Sequence, residues 1–352
     1  MIQPKHTTPL GLQSIYYQNA PGLLSWASIA GKKEGEGPLG SYFDQVIDDA
    51  TFGQETWEEG ESEFMAEACK LALKKANRKP SDMRYLFGGD LLGQLIATTF
   101  GIKDFDVPFF GIYGACSTIG EALSLGSMTI AGGFADEVLA TASSHFGGAE
   151  KTFRFPLEYG NQRPICSTWT VTGSGAFVLS ATQGDIVIRG ITTGKIVDYG
   201  VKDSQNMGAC MAPAAASTIY QHFLDFSSTP DDYDRIYTGD LGKVGQEILL
   251  KLLEENGRDI QKQHRDCGIE IFDPDTQNTG CGGSGCGCSA ITLASYITKQ
   301  MLDGNFKRVL FVPTGALLST VSYNEGQSIP GIAHAILLET RNLRKESSNG
   351  VS

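Results

Sequence analysis

The sequence lacks the features of three classes: membrane-spanning, exported and nucleic-acid-binding proteins. No run of about 18 apolar residues is present, so no segment is expected to cross a bilayer. Residues 1–10 lack the apolar core of a signal peptide, which predicts a protein kept on the cytoplasmic side. Lys and Arg number 28 against 40 Asp and Glu, and they form no basic stripe. Because a nucleic-acid surface needs clustered cations, nucleic acid is not an expected partner.

The composition is otherwise that of an ordinary folded chain. Of the 352 residues 41% are hydrophobic, and the formal net charge is −12. A chain of this length buries one large core or packs two similar halves as one body. The eight cysteines are expected to be thiols, because a protein without an export signal stays in a reducing compartment.

An internal repeat at an offset of 150 residues organises the chain. Residues 80–91 match residues 230–241, and both copies read as a turn, a short buried strand and a terminal Gly-Asp-Leu. Three further matches follow in the same order: 109–131 with 281–302, 138–145 with 309–318, and 173–180 with 331–339. Each copy alternates strands and helices, which predicts an α/β protein with a mixed sheet covered by helices. The predicted halves are residues 1–180 and 181–352, with a pocket at their junction.

Eight short strings identify a family. They are Gly-Pro-Leu-Gly at 37–40, Gly-Asp-Leu-Leu at 89–92, Gly-Ala-Cys-Ser-Thr at 114–118, Phe-Arg-Phe-Pro at 153–156, Thr-Val-Thr-Gly-Ser-Gly at 170–175, Met-Ala-Pro-Ala-Ala-Ala at 211–216, Gly-Gly-Ser-Gly at 282–285 and Thr-Gly-Ala-Leu-Leu-Ser at 314–319. Together they resemble the stage V sporulation protein AD family of the thiolase superfamily, over roughly residues 20–340.

The resemblance implies a thiolase-like fold and a function in sporulation. It implies binding of dipicolinic acid (pyridine-2,6-dicarboxylic acid), free or as its calcium chelate. It further implies integral-membrane partners from one sporulation channel complex, which move the compound into the developing spore. A homodimer at the cytoplasmic side, peripherally associated with the spore inner membrane, is expected from the same resemblance.

Cys116 is the residue that a condensing enzyme of this superfamily would acylate. It follows a strand and opens a predicted helix, where the helix dipole and free N–H groups favour a thiolate. Condensation also needs a base and a stabiliser of the developing anion from the second half. Where the synthases carry His, this chain has Asp240, and residues 285–289 contain neither His nor Asn. We therefore expect a degenerate site with no catalytic residue and no cofactor.

Two other functions stay open at this point. One is residual acyl transfer that uses Cys116, and the other is a purely structural subunit of the channel complex. A shared fold does not by itself decide between them.

The expected ligand contacts come from the segment that covers the active site in thiolase-like folds. Arg154 and Arg163 flank Tyr159 there, and guanidinium groups pair with carboxylates in a bidentate manner. Tyr159 or Phe155 would stack on the pyridine ring, while His145, next to Ser144, would add a hydrogen bond. The alternative is that these are solvated charges on a surface loop.

Asp90 and Asp240 are repeat-equivalent acids at two strand ends. They either accept backbone N–H bonds across the pseudo-twofold axis or coordinate calcium beside a chelating ligand, because calcium prefers oxygen donors. His334, near the last inner strand, is either a core histidine or a ligand contact.

The cysteines in the second half do not have the spacing of a zinc site. Cys267, Cys281, Cys286 and Cys288 follow a C-x13-C-x4-C-x-C pattern, so we expect no metal site and a glycine-rich turn that lines the pocket. Either Cys286 or Cys288 is the expected repeat counterpart of Cys116.

Overall fold

The computed structural model describes residues 7–153 and 163–341. Within these ranges the strands are β1 (Thr7–Leu10), β2 (Ser14–Tyr17), β3 (Gly22–Gly31), β4 (Gln45–Ile47), β5 (Leu86–Gly89), β6 (Phe109–Gly111), β7 (Glu137–Ser144), β8 (Trp169–Thr170), β9 (Gly173–Ser180), β10 (Ile186–Thr192), β11 (Arg235–Thr238), β12 (His264–Asp266), β13 (Gly283–Ser284), β14 (Arg308–Val312), β15 (Thr314–Ala316), β16 (Gly331–Ala333) and β17 (Ala335–Thr340).

The helices in the same ranges are α1 (Lys32–Gly35), α2 (Trp57–Ala76), α3 (Ile96–Ile102), α4 (Thr118–Ala131), α5 (Phe146–Phe153), α6 (Met207–Asp225), α7 (Gly242–Glu255), α8 (Cys267–Ile271), α9 (Pro274–Gln277), α10 (Cys286–Thr292), α11 (Thr298–Leu302) and α12 (Thr320–Asn324). A π-helical turn, Leu293–Ile297, joins α10 to α11. Among the described residues, no helix is both long enough and apolar enough to cross a membrane.

The main sheet has the same pattern of parallel and antiparallel strand pairs from either edge. Its strand order is β12-β11-β14-β17-β10-β3-β9-β7-β5-β6. The outer three strands at each end are parallel to one another, and the pairs between them are antiparallel. The strands of the two halves therefore correspond in order and direction: β12 to β6, β11 to β5, β14 to β7, β17 to β9 and β10 to β3. The predicted α/β fold with two pseudo-repeated mixed-sheet halves is therefore confirmed.

The turns that signalled the repeat have the same local structure. Short 3₁₀ helices, Pro80–Asp82 and Pro230–Asp232, precede β5 and β11. Both begin with proline, whose fixed φ suits the first position of a helical turn.

Side-chain caps fix where two outer helices begin. Helix α2 begins at Trp57 because Thr56 and Glu59 form a capping box before it. Helix α6 begins at Met207 because the Asn206 side chain accepts a hydrogen bond from the Ala209 N–H.

The helices form layers around the sheet. Helix α2 packs on β3, β7 and β9, whereas α6 packs on β10 and β17 of the other half. Helices α4 and α10 lie between the halves, because α4 contacts β5, β7 and β17 while α10 contacts β3, β7 and β9. A central core of buried residues, including Ile119, Phe177 and Ile291, surrounds them.

One close approach fixes the position of α10. A Cβ atom on Gly175 of β9 would lie 2.6 Å from the carbonyl carbon and oxygen of Ala290. Only glycine leaves room for the helix backbone at that distance. The Gly-Ser-Gly string of β9 is thus the surface on which α10 rests, and it brings the start of α10 to the start of α4.

Candidate ligand-binding site

A cavity opens where α4 and α10 begin, at the junction of the two halves. Its empty volume, counted out to open solvent at the mouth, is about 510 Å³. The described residues that line it are Leu91, Tyr113, Ala115, Cys116, Ala149, Glu150, Phe153, Thr170, Met207, Met211, Ser284, Ala316 and Leu318. Most of this wall is apolar.

Cys116 faces the cavity from a strained turn. Its neighbour Ala115 has a φ of 49°, a left-handed conformation that alanine seldom adopts. The Cys116 Sγ lies 3.9 Å from the Ser284 Oγ of the other half. Both residues stand two positions before the first residue of a central helix, α4 for Cys116 and α10 for Ser284.

Ser284 is therefore the repeat counterpart of Cys116, and the two meet at the pseudo-twofold axis. Neither Cys286 nor Cys288 lies among the described lining residues. The Cys286 thiol donates to the Ala115 carbonyl at 3.0 Å, and the Cys288 thiol lies 3.5 Å from the Gly239 carbonyl. The expectation that one of these cysteines matches Cys116 is wrong, because the second glycine-rich turn enters its helix with serine at that position.

Asp240 lies directly behind Cys116 and Ser284, and both of its carboxylate oxygens accept hydrogen bonds. Its Oδ2 accepts hydrogen bonds from the Ser284 hydroxyl at 2.9 Å and the Gly285 N–H at 3.0 Å. Its Oδ1 accepts one from the Thr314 hydroxyl at 2.8 Å. Burial raises the pKa of Asp240, although the bond from Gly285 and those from the side chains lower it.

The environment of Cys116 favours the thiol over the thiolate. Burial, followed by the charge of Asp240, raises the pKa of Cys116 well above its usual value. This shift is opposite in direction to the one that the helix N-terminus alone was expected to produce.

Asp90 has a different set of contacts from its repeat equivalent. Its carboxylate accepts the Leu92 N–H at 2.8 Å, the Thr98 N–H at 2.7 Å and the Thr98 hydroxyl at 2.5 Å. All of these donors lie in its own half, as does the Gly285 N–H that Asp240 accepts. The backbone hydrogen bonds of both acids therefore hold local turns, whereas the Cys116 thiol of the first half hydrogen-bonds to the Asp240 side chain across the pseudo-twofold axis.

His145 and Ser144 lie behind the cavity wall, bonded to backbone groups. The His145 Nδ1 accepts the Gly147 N–H at 3.0 Å, so its Nε2–H donates to the Ala50 carbonyl at 2.6 Å. Burial lowers the pKa of His145, although the bond to Ala50 and the charge of Glu58 raise it. The Ser144 hydroxyl donates to the Val171 carbonyl at 2.7 Å and accepts the Gly287 N–H at 2.9 Å, which ties the halves together.

Arg163 reaches the cavity through Glu150. Its guanidinium lies 2.6 Å from the Glu150 carboxylate, which lines the cavity, and 4.8 Å from the centre of the Trp169 ring. Arg154, Phe155 and Tyr159 lie outside the described residues. His334 is not a described lining residue: its Nδ1 accepts the Gly194 N–H at 3.3 Å, and its Nε2 lies 3.5 Å from a Glu121 oxygen.

Sequence reasoning missed several residues of the site. Glu150, Met207 and Met211 line the cavity but belong to helices whose patterns signal only burial. Ser284 had a detectable signal, its distance from the start of the second central helix. Of the candidates within the described ranges, the structure brings Cys116 and Asp240 together at the cavity and puts Glu150 between the cavity and Arg163.

Comparison with known proteins identifies relatives along nearly the whole chain. The family model for stage V sporulation protein AD matches residues 11–339. The stage V sporulation protein AD of Bacillus subtilis (strain 168) is 45% identical over 329 residues, which cover 94% of this chain and 97% of that protein.

Solved structures with the same fold include a 3-oxoacyl-[acyl-carrier-protein] synthase III and OleA. The 3-oxoacyl-[acyl-carrier-protein] synthase III of Aquifex aeolicus VF5 has a TM-score of 0.54 and 14% identity, covering 91% of this chain and 99% of that one. Cerulenin-bound OleA of Xanthomonas campestris has a TM-score of 0.56 and 12% identity, covering 94% and 100%. At these identities the likeness establishes the fold, which is thiolase-like as predicted.

The contacts of Asp240 predict its effect on stability. Asp240→Ala should lower the melting temperature without ligand and cost about 2–4 kcal/mol, because three buried or partly buried donors lose their acceptor. Thermal and denaturant unfolding measure this, with Glu247→Ala, at an exposed position of α7, as the control. An unchanged melting temperature for Asp240→Ala would contradict a structural role.

Proposed function

The chain belongs to the stage V sporulation protein AD family, and we propose that it acts in sporulation by binding dipicolinic acid without catalysis. The bound compound passes to integral-membrane proteins of one channel complex for uptake into the developing spore. The protein works from the cytoplasmic side, peripherally at the spore inner membrane.

The observation that carries the non-catalytic part is the Asp240 carboxylate, which three hydrogen bonds hold directly behind the Cys116–Ser284 pair at the cavity. The fold retains the space in which a condensing enzyme holds its substrate. The Asp240 charge next to the thiol opposes both a thiolate and a developing enolate. The residues of this cavity are therefore suited to holding a ligand and not to forming a covalent bond with it.

The cavity walls suit a planar aromatic ring. Leu91, Phe153, Met207 and Met211 supply apolar surface, and thioethers make favourable contacts with aromatic rings. The hydroxyls of Thr170 and Ser284 supply polar contacts at the edge.

The charge of the cavity favours the calcium chelate over the free dianion. Glu150 is the one charged residue among the described lining residues, and Arg163 pairs with it at 2.6 Å. A free dianion brings two negative charges to a wall that already carries a carboxylate, which is costly where burial is high. Calcium neutralises the ligand and accepts further oxygen donors such as a carboxylate.

Calorimetric titration of the full chain tests the ligand. With equimolar calcium, dipicolinate should bind roughly 10- to 100-fold more tightly than picolinate, because its second carboxylate adds a charge-assisted contact to the ion that is worth about 1.5–3 kcal/mol. Equimolar calcium should strengthen dipicolinate binding, and Glu150→Gln should reduce that gain. Equal affinities for dipicolinate and picolinate would contradict the assignment of the cavity.

A second function, residual acyl transfer, is favoured by one observation. The cavity shares Leu91, Tyr113, Phe153 and Leu318 with an adjoining apolar groove of about 1000 Å³, which has room for an acyl chain.

Thioester labelling separates the two functions. After incubation with acetyl- or malonyl-thioesters, mass spectrometry should find no adduct at Cys116, because the thiol stays protonated. Cys116→Ala should fold normally and bind dipicolinate only moderately less well. Stoichiometric acylation of the folded wild type at Cys116, lost in Cys116→Ala, would instead establish an enzyme.

The proposed homodimer has a candidate interface at β6. This strand pairs with β5 on one side only, and its residues Phe109, Phe110 and Gly111 are all exposed. An exposed aromatic edge strand is a template for pairing with another strand. Antiparallel pairing of two β6 strands about a twofold axis closes both edges at once.

Sedimentation analysis tests this interface. The wild type should sediment as a dimer of the 37.8 kDa chain. Phe109→Asp should shift it to monomer, because two carboxylates would then approach each other across the axis. The matched control is Ile196→Asp, at a position 66% exposed in a loop. A wild-type monomer, or a dimer that Phe109→Asp leaves intact, would contradict the interface.

A further inference from the structure

A wide groove lies between the first half of α2 and α3. Its empty volume is about 1450 Å³, open to solvent. The described residues that line it are Gln54, Thr56, Glu58, Glu59, Ser62, Glu63, Leu92, Gly93, Ile96, Phe100, Lys103, Asp104 and Thr152. We call it the α2–α3 groove.

Apolar side chains form one wall of the α2–α3 groove. Ile96 is 42% exposed and Phe100 is 57% exposed, one turn apart on α3. Large apolar residues that share one exposed helix face indicate a contact surface more often than isolated ones do. This wall fits an apolar anchor of a partner.

The rim of the same groove is acidic. Glu58, Glu59, Glu63 and Asp104 line it, and the cations beside them are Lys103 in the lining and Lys151, which pairs with Glu58 at 2.7 Å. The charge extends along the chain, because residues 34–69 contain eleven Asp and Glu and no Lys or Arg. A partner of this surface should therefore be basic.

The α2–α3 groove is continuous with the ligand cavity. It shares Leu92, Gly93 and Thr152 with the adjoining apolar groove, which in turn meets the cavity at Leu91 and Phe153. A partner seated in the α2–α3 groove would thus lie beside the route by which a ligand enters or leaves.

The loop at this junction is strained. Gln94 and Leu95 have φ values of 54° and 53°, a left-handed conformation that costs energy for residues other than glycine.

We propose that the α2–α3 groove docks a Lys- and Arg-rich segment, with apolar anchors, of an integral-membrane protein. Short cytoplasmic loops of such proteins carry an excess of Lys and Arg, which complements the rim. Anionic lipid headgroups would be repelled by the same rim, so the docking is to protein and not to the bilayer surface. The membrane origin of the segment rests on the proposed function, whereas its basic and apolar chemistry rests on the groove alone.

A synthetic peptide tests the groove without a named partner. The probe is a fluorescent 16-residue peptide of Lys and Leu at helical spacing, and the comparison peptide has Ser at every Leu position. Fluorescence anisotropy with the full chain should show binding of the Lys/Leu peptide that weakens as salt rises. The Lys/Ser peptide should bind more weakly, because it offers no anchor to Phe100.

Variants locate the binding. Glu63→Lys combined with Asp104→Lys should weaken the Lys/Leu peptide about tenfold, because two attractive charges become repulsive. Glu247→Lys combined with Glu254→Lys changes the net charge equally on the exposed face of α7 and should have an effect of less than about twofold. Phe100→Ser should weaken binding of the Lys/Leu peptide and leave binding of the Lys/Ser peptide unchanged.

Three results would overturn the proposal. The first is an equal loss of affinity for the Lys/Leu peptide in the two charge-reversal variants. The second is an unchanged affinity for that peptide in Phe100→Ser. The third is binding of the wild type to anionic phospholipid vesicles that Phe100→Ser abolishes. Dipicolinate titration of the same variants keeps the two proposals apart. If any of the three results occurs while dipicolinate still binds, only the docking proposal for the α2–α3 groove is rejected. If the Lys/Leu peptide binds as predicted but dipicolinate does not bind, only the proposed ligand is rejected.

Discussion

The Asp240 carboxylate accepts hydrogen bonds from segments that are distant in sequence, and the cavity takes its shape from these bonds. They fix Ser284 and Gly285 at the start of α10 and Thr314 at the start of β15. A buried carboxylate is tolerable only when its oxygens are satisfied in this way. The same charge lies next to Cys116, so the interaction that builds the site also sets the protonation of its thiol.

The pseudo-twofold arrangement explains why a cavity exists at this position. Gly175 allows α10 to rest on β9, and the start of α10 then faces the start of α4. The two glycine-rich turns leave a space that small side chains line. In a condensing enzyme this space holds reacting groups, whereas here it holds a thiol, a hydroxyl and a carboxylate that bond mainly to one another and to backbone. The chemistry of the described residues supports a binding site, and the acidic α2–α3 groove beside it supports transfer between proteins.

Much of the fold could be predicted because the repeat is local information. The copies at 80–91 and 230–241 each encode a turn and a buried strand, and their order along the chain predicted two similar halves. The site was less accessible from sequence. Cys116 and Asp240 were identified because each follows a strand at a recognisable position, but the hydrogen bonds of His145 to Ala50 and Gly147 depend on how separate segments pack. Glu150 pairs with Arg163 across a cavity wall, and no periodicity encodes such a contact.

The central claim is that Cys116 is a protonated wall of a binding cavity and not a nucleophile. Peptide-resolved mass spectrometry of Cys116 alkylation by iodoacetamide, as a function of pH, tests it most directly. The account predicts slow alkylation at pH 7, a rate that rises only above the ordinary thiol pKa near 9, and protection by calcium dipicolinate. Fast alkylation at pH 7 with an apparent pKa below 7, or a rate unaffected by calcium dipicolinate, would contradict it.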